Sequence, residues 1–364
     1  MPMSAVALRT LHDLERLSRS GLDSRAFRHA ALRKIDRVVP VDAAWFATTD
    51  PTTLLFTSAV VDDVLRSEAS LFVRNEFLEE DVNQFRDLAT SGRIVGSLDV
   101  ETSGRRERSP RYRDILERLA LGDELRVALV DGGHCWGFMC LHRGRGAGFA
   151  PKELSFMRRA AAHLATGLRT GLLLESLQPG PEPNAPGLLV LTRDLSLVTT
   201  NAAAELLLAE VADDSWTGRT ELPSAVYGVA GALLAQDGEK RLSSASQPKA
   251  RLQTAAGRWL TLQATWLVSP GAEQERQIAV LLETSPSIEI WPLLAAAHQL
   301  TEREREVTLL VARGRSTTEI AHALRIGENT VQDYLKAVFD KFGVHSRGQL
   351  VAAIFGSHYL PLMH

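Results

Sequence analysis

Apolar residues recur at two spacings in the first part of the chain, and each spacing predicts a different element. Steps of three and four residues predict helices over 8–20 and 23–39. Aromatic and β-branched residues bounded by turn residues predict strands over 43–50 and 54–61. A segment that mixes both spacings is typical of an α+β domain.

A hairpin and a long helix are predicted further along. In segment 123–143 the turn Asp131-Gly132-Gly133 separates two apolar runs, which is a strong hairpin signal. The same aspartate after an apolar strand also occurs in phospho-acceptor domains, but the remaining acidic pair and lysine of such a site cannot be placed. A helix over 151–178 then carries one apolar stripe, formed by Leu154, Met157, Ala161, Leu164, Leu168 and Leu172.

The order helix, strands, hairpin and long exit helix resembles a GAF sensor domain over residues 1–178. The resemblance implies an α+β domain with an interior ligand pocket. Trp45, Trp136 and Phe138 are the candidate pocket residues, although as ordinary core residues they would need no ligand.

Four prolines and two glycines among the nine positions 179–187 predict a linker. Residues 188–286 then read as hairpin, helices and three strands, which resembles a PAS domain with Asn201 after its second strand. The two sensor-like units would share an architecture without visible sequence similarity. Residues 287–299 are predicted to be a linker helix.

The C-terminal segment contains two helix-capping signals. Thr301 with Glu304, and Ser316 with Glu319, have the spacing of capping boxes, in which a hydroxyl and a carboxylate satisfy backbone N–H groups at a helix start. A third helix is predicted to begin at Glu328. A short helix, a turn and a longer helix form a helix-turn-helix.

The sequences "LTEREREV" and "STTEIAHALRIGENTVQDYLKAVFDKFGVHSRGQLV", with their spacing, resemble the DNA-binding domain of LuxR-type transcription factors. The resemblance covers about 55 residues of the unit 300–364. It implies an all-α four-helix domain that binds double-stranded DNA as a homodimer, usually at inverted repeats. The predicted fold class is therefore multidomain, with GAF-like and PAS-like α+β domains before this helical domain.

The predicted recognition helix carries a polar face. Asn329, Gln332, Asp333 and Lys336 lie opposite its apolar stripe, and by the resemblance Gln332, Asp333 and Lys336 correspond to groove-facing positions. Candidate phosphate contacts are Ser316, Thr317, Thr318, Arg325, Thr330, Tyr334, Lys341 and Arg347.

Two of these residues leave alternatives open. Asp333 would accept a hydrogen bond from cytosine N4, pair with Lys336 three residues on, or simply face solvent. Tyr334 would place its hydroxyl on a phosphate or pack towards the core. Residues 311–349 contain six basic and four acidic side chains, a net charge of +2, so the expected non-specific DNA affinity is weak.

Composition adds limits to this picture. The net charge of the 364-residue chain is −3, so any DNA-binding surface is local. The N-terminus has no apolar signal segment, and no run of about 18 apolar residues exists, so a cytoplasmic protein without a membrane span is expected. Cys135 and Cys140 are either two small buried residues or a redox or metal pair.

We expect no enzyme, no cofactor and no metal site, because the sequence shows no catalytic set and His134 beside Cys135 lacks spaced partners. The favoured function is a transcriptional regulator whose sensor domains respond to a small molecule or a partner. The alternative is a sensor whose helix-turn-helix docks protein rather than DNA. A catalytic GAF- or PAS-like pocket is the third reading.

Overall fold

The computed structural model describes residues 3–175, 185–211, 213, 222–238, 247–255, 257–267 and 276–359. Within these ranges the chain forms two α+β units and one helical unit. Three predicted segments lie partly outside the described residues. They are the helix 151–178 at positions 176–178, the linker 179–187 at positions 179–184, and the C-terminal unit at positions 360–364. None of the helices in these ranges combines the length and the hydropathy that a membrane span requires.

The first unit is built on a five-stranded antiparallel sheet with the order β2-β1-β5-β4-β3. The strands are β1 (Ala43–Thr49), β2 (Phe56–Val61), β3 (Val95–Ser97), β4 (Leu121–Asp131) and β5 (His134–Gly144). The predicted hairpin is confirmed: Gly132 and Gly133 connect β4 to β5 with φ values of 58° and 78°. A two-residue turn with both φ angles positive matches the twist of the strands, and glycine adopts it without steric cost.

Helices cover both faces of this sheet. They are α1 (Ala5–Leu17), α2 (Ser24–Ile35), α3 (Asp63–Arg66), α4 (Ala69–Leu78), α5 (Phe85–Thr90), α6 (Leu98–Thr102) and α7 (Pro151–Glu175). Helices α1, α2 and α7 pack on one face, where Met157, Ala161, Leu164 and Leu168 of the predicted stripe are fully or almost fully buried. Helix α1 begins three residues earlier than predicted because the Ser4 hydroxyl accepts a hydrogen bond from the Ala7 N–H.

The second unit has a sheet of the same strand order, β7-β6-β10-β9-β8. Its elements are β6 (Gly187–Leu191), β7 (Leu197–Thr200), α8 (Ala202–Ala209), α9 (Ser224–Gly238), β8 (Lys249–Gln253), β9 (Trp259–Leu267) and β10 (Gln277–Thr284). The expected common architecture is thus present in the two sheets. Asn201 is the N-cap of α8, where its side chain accepts from the Ala204 N–H at 2.9 Å.

The helical unit consists of α10 (Ser287–Ala297), α11 (Glu302–Ala312), α12 (Thr317–Leu324), α13 (Glu328–Phe342) and α14 (Arg347–Tyr359). Both predicted capping boxes are formed, at Thr301 with Glu304 and at Ser316 with Glu319. A separate core of twelve buried residues, including Val307, Ile320 and Val338, holds the helices together.

The second unit packs against the first through α9, which lies on β2 and α4. Two glycines permit this approach: a Cβ at Gly228 would lie 3.2 Å from the Phe56 backbone nitrogen, and one at Gly231 would lie 2.7 Å from Val73 and Phe77 side chains. A buried ion pair between Asp50 and Arg251 adds a polar contact to the same interface.

Candidate nucleic-acid interface and interior cavity

Helix α13 has one buried face and one exposed polar face. Val331, Leu335 and Val338 are at most 6% exposed and pack into the core of the helical unit. The predicted base-reading residues all lie on the exposed side, at positions i, i+3, i+4 and i+7 of a helix. They are Asn329, Gln332, Asp333 and Lys336.

Asp333 and Lys336 do not pair with each other. In the described part of the chain, the Asp333 carboxylate forms no ion pair or hydrogen bond, and neither does the Lys336 ammonium group. Both charged groups are therefore presented to solvent on the open face of α13. Tyr334 is half-buried beside them and packs against the core of the unit.

The turn between α12 and α13 holds the two helices in a fixed relation. Arg325 ends α12 in the left-handed conformation with φ of 55°, and its N–H donates to the carbonyl groups of Ala321 and His322. Gly327 then caps α13 with extended backbone and without a side-chain hydrogen bond. The short turn brings the first turn of α12 and the exposed face of α13 to one surface.

Two predicted phosphate contacts have partners within the unit. The Lys341 ammonium donates to Glu304 Oε2 at 2.6 Å and to the Gln299 carbonyl at 3.0 Å. The Arg347 guanidinium donates to the Arg315 carbonyl and to Thr317 Oγ1, each at 2.8 Å. These cations hold α11 against α13, and the start of α14 against the start of α12. The sequence did not reveal this structural role.

The other predicted phosphate contacts lie near the same surface. The Ser316 hydroxyl accepts from the Glu319 N–H at 3.2 Å as part of the cap, whereas Thr318, Arg325 and Thr330 are exposed. The Glu319 carboxylate accepts from the Ser316 N–H at 2.7 Å, and hydrogen bonds from Ser316 and Arg315 lower the pKa of Glu319 to about 2. An ionised carboxylate at the start of a helix interacts favourably with the positive end of the helix dipole.

Known proteins share the pattern of these helices. The family model described as "Bacterial regulatory proteins, luxR family" matches residues 298–354. The spore germination protein GerE of Bacillus subtilis is 42% identical over 63 residues, which cover 17% of this chain and 85% of that protein. The chain belongs to the luxR family of bacterial regulatory proteins.

Other relatives match this luxR-family chain over the same short stretch. The transcriptional regulatory protein DesR of Bacillus subtilis is 44% identical over 55 residues, which cover 15% of this chain and 28% of that protein. The probable HTH-type transcriptional regulator GfsR of Streptomyces halstedii is 40% identical over 57 residues, which cover 16% of this chain and 24% of that protein. The chain thus spans about a quarter of the length of these two curated relatives.

The N-terminal unit also matches a described domain. The family model of the GAF domain matches residues 4–168, so the first unit of this luxR-family chain is a GAF domain. A crystal structure of Escherichia coli SdiA is 12% identical and covers 96% of this chain and 97% of that one, with a TM-score of 0.28.

The GAF domain contains a partly open cavity of about 70 Å³ on the face of its sheet opposite α7. Its apolar wall includes Trp45, Phe56 and Val73, and its polar end includes Arg126 and His142. Two further lining residues, Ser224 and Tyr227, come from α9 of the second unit and close the cavity on one side.

The structure brings only part of the predicted aromatic pocket together. Trp45 lines the cavity, and Phe138 stacks at 4.4 Å on the ring of Phe85, which also lines it. Trp136 lies on the opposite face of the sheet, in the core beneath α7. The cause is a β-bulge: Leu129 pairs with Gly137 and Val130 with Cys135, so Trp136 is the extra residue and turns away from the cavity.

A buried ionic network forms the polar end of the cavity. The guanidinium groups of Arg111 and Arg126 contact Glu124 Oε2 at 2.8 and 3.0 Å, and Arg126 also contacts Glu76 at 2.6 Å. Burial opposes the charge on Glu124, but the two arginines outweigh it and lower the pKa of Glu124 to about 2. Burial, with the same two cations, lowers the pKa of His142 to about 4, so its ring is neutral at pH 7.

The sequence does not predict this network. Arg111 and Glu76 belong to the segment between β2 and β4, whose short helices gave no clear period. Charged residues are rarely buried unless they are paired, so nothing in the sequence of one strand marks Arg126 or Glu124 as internal. The alternation of Glu124 and Arg126 with Leu125 and Val127 was the one usable signal, because it places both charges on one face of β4.

Proposed function

We propose that this protein is a sequence-specific DNA-binding transcriptional regulator whose GAF domain responds to a small molecule. The observation that carries the proposal is the exposed polar stripe of α13, within a helix-turn-helix whose packing is complete without those side chains. A solvated stripe on the second helix of such a motif has the position of side chains that read base edges in the major groove.

The chemistry of the stripe suits base recognition. Asn329 and Gln332 each carry a donor and an acceptor that match adenine N7 and N6, Lys336 donates to guanine O6 and N7, and Asp333 accepts from cytosine N4. Thr318, Arg325 and Thr330 are proposed to contact phosphates, as are Ser316 and Thr317 at the start of α12. Tyr334, Lys341 and Arg347 lie at the edge of this surface, where they would contact the sugar-phosphate backbone of DNA.

We propose that two copies bind an inverted repeat. One recognition helix reads few base pairs, and a homodimer would double both the base and phosphate contacts. The experiment is selection of binding sites by the full chain from a random duplex library at low and physiological salt. Enrichment of a two-fold symmetric site supports the proposal, whereas an unenriched library at both salt concentrations contradicts it.

Asp333 provides a test within the stripe. If its carboxylate accepts from cytosine N4, Asp333→Ala should weaken binding to the selected site by about 1–3 kcal/mol and remove the preference for that base pair. Competition binding with duplexes that vary one position measures the change. Asp340→Ala, an exposed acid at the far end of the same helix, is the control. A uniform gain in affinity for all duplexes from Asp333→Ala would instead mean that the carboxylate only repels phosphates.

We further propose that the second unit is a PAS-like domain that relays the state of the GAF cavity. Support comes from its hairpin-first sheet with the same strand order as the GAF sheet and from α9, whose Ser224 and Tyr227 close the cavity. A cavity of about 70 Å³ admits a molecule of few heavy atoms, so a larger ligand would displace α9. A ligand changes DNA binding only if it binds one arrangement of α9 more tightly than the other.

Filling the cavity should abolish ligand binding. Ala69 lines the cavity at the start of α4, and Ala69→Phe would place a ring inside it. Native mass spectrometry of the freshly purified full chain should show a bound small molecule that is absent from this variant. Leu206→Phe, at a surface position 66% exposed, should retain it. A wild-type chain without any bound mass, or equal retention by the Ala69 variant, would contradict the ligand proposal.

A further inference from the structure

Three potential metal ligands meet on two neighbouring strands of the GAF domain. Glu124 on β4 is the direct cross-strand partner of His142 on β5, and Cys140 lies two residues before His142 on the same face. All three side chains are buried, and one donor atom from each lies within 4.8 Å of the others. Because the residues stand on strands of one sheet, their backbone positions are fixed before any ligand binds.

Two donor atoms of this cluster have no hydrogen-bond partner among the residues that the structure describes. Both arginines of the buried network contact Glu124 Oε2, whereas Glu124 Oε1 is buried without a hydrogen bond among the described residues. His142 Nδ1 is likewise buried without one. Burial of a polar atom without a partner is unfavourable, so an unpartnered carboxylate oxygen and an unpartnered imidazole nitrogen on two directly paired residues indicate an electrophile that binds both.

The donor set defines the class of that electrophile. Thiolate sulfur, imidazole nitrogen and one carboxylate oxygen are ligands of Zn²⁺ and related divalent transition metals, whereas Mg²⁺ and Ca²⁺ prefer oxygen throughout. Three protein ligands leave a fourth tetrahedral position, and Cys140 and His142 both line the cavity, so that position would open into it.

Charge is balanced when a metal binds here. The buried network contains three carboxylates and two guanidinium groups, so its formal charge is −1. The carboxylates belong to Glu76, Asp81 and Glu124, and the guanidinium groups to Arg111 and Arg126. A divalent ion that displaces the proton of the Cys140 thiol into solvent adds one positive charge and makes the cluster neutral. The arginines also orient Glu124 by holding its other oxygen, as outer-shell partners of metal ligands do.

We propose that Glu124, Cys140 and His142 form a binding site for a divalent transition metal, with Zn²⁺ as the best match, and that its fourth coordination position faces the GAF cavity. The site is distinct from His134 and Cys135, which the sequence first suggests. It would give the cavity a Lewis-acidic group that binds an anionic or lone-pair-bearing end of a small molecule. Metal binding does not depend on the DNA-binding proposal, and either can fail alone.

Cobalt substitution tests the site in the full chain. Protein stripped of metal with a chelator is titrated with Co²⁺, and we expect one equivalent to bind with a thiolate-to-cobalt charge-transfer band and visible bands of tetrahedral intensity. Zn²⁺ should bleach these bands. Cys140→Ser should remove the charge-transfer band, and His142→Ala should weaken binding about tenfold or more. Cys135→Ser changes the other buried cysteine of β5 and should leave the spectrum unchanged.

The outcomes are separable. A titration without a charge-transfer band, or a band lost in Cys135→Ser but kept in Cys140→Ser, overturns the site. If Cys140→Ser fails to fold, X-ray absorption of the zinc-loaded wild type decides: one sulfur with nitrogen and oxygen neighbours supports the site, and only nitrogen and oxygen neighbours overturn it. Loss of the cobalt spectrum with unchanged selection of DNA sites contradicts the metal proposal alone, and the reverse result contradicts DNA binding alone.

Discussion

The variant Gln332→Ala/Lys336→Ala should bind the selected DNA site at least 30-fold more weakly than the wild type. Each side chain is expected to make a two-pronged contact with a base edge worth about 1–3 kcal/mol, so the pair together contributes at least about 2 kcal/mol per half-site. Both are exposed on α13 and take no part in its buried face. Their loss should therefore leave the fold and thermal stability of the domain unchanged while fluorescence anisotropy with the selected duplex reports the weaker binding.

A charge-matched control separates base reading from general attraction to DNA. Arg303→Ala removes one exposed cation from α11, where Arg303 forms a surface ion pair with Glu306 at 2.7 Å. It should reduce binding to specific and random duplexes alike and only slightly. If the double variant keeps full affinity and full regulatory activity, the stripe does not read DNA, and the helix-turn-helix is better explained as a surface that docks another protein.

The second large effect is expected at Asp50, which joins the GAF domain to the second unit. Its buried carboxylate accepts from Arg251 Nε at 2.8 Å, from another guanidinium nitrogen at 3.0 Å and from the Arg251 backbone N–H at 3.1 Å. Asp50→Ala leaves a buried cation without its counter-charge, which costs about 3–5 kcal/mol. We expect β8 and α10 to exchange backbone hydrogens much faster, because Arg251 also donates to the Glu289 carbonyl of α10 at 2.7 Å.

Hydrogen–deuterium exchange by mass spectrometry measures this change region by region, which suits a chain that need not unfold in one step. Glu15→Ala breaks the exposed ion pair with Arg19 and should change exchange very little. Replacing both Asp50 and Arg251 with leucine removes the unpaired charge and should restore protection, since apolar pairs often replace buried ion pairs without loss. Unchanged protection in Asp50→Ala would mean that the other contacts between the two units, those of α9 among them, hold the units together without this ion pair.

Local signals explain which parts of the structure the sequence predicts well. A capping box needs residues three positions apart, and the stripe of α13 follows from helical spacing alone, so Thr301, Ser316 and the face from Asn329 to Lys336 could be placed without tertiary contacts. The hairpin at Gly132-Gly133 is equally local. In each case the physical cause lies within one or two helical turns of the residue concerned.

Long-range contacts explain the rest. Lys341 has the charge and exposure of a phosphate contact, yet its partner Glu304 comes from a helix that precedes it by 37 residues. The closing of the GAF cavity by Tyr227 requires a second domain to dock, and helices α3, α4 and α5 pack where their side chains line that cavity. No pattern within these segments encodes such contacts, so composition alone could not reveal them.

Trp136 is one extra residue in β5, and it changes which face of the sheet the later side chains of this strand point to. A regular ladder continued from the pair Asp131–His134 would set Leu141, rather than His142, opposite Glu124, and would exchange the two faces of the strand beyond the turn. With the bulge, Phe138, Cys140 and His142 face the cavity while Met139 and Leu141 face α7. A relative that lacked Trp136 could pair the two strands without a bulge and would still set this histidine opposite Glu124, so the bulge lets β5 hold one more residue than β4 without changing the chemistry of the cavity.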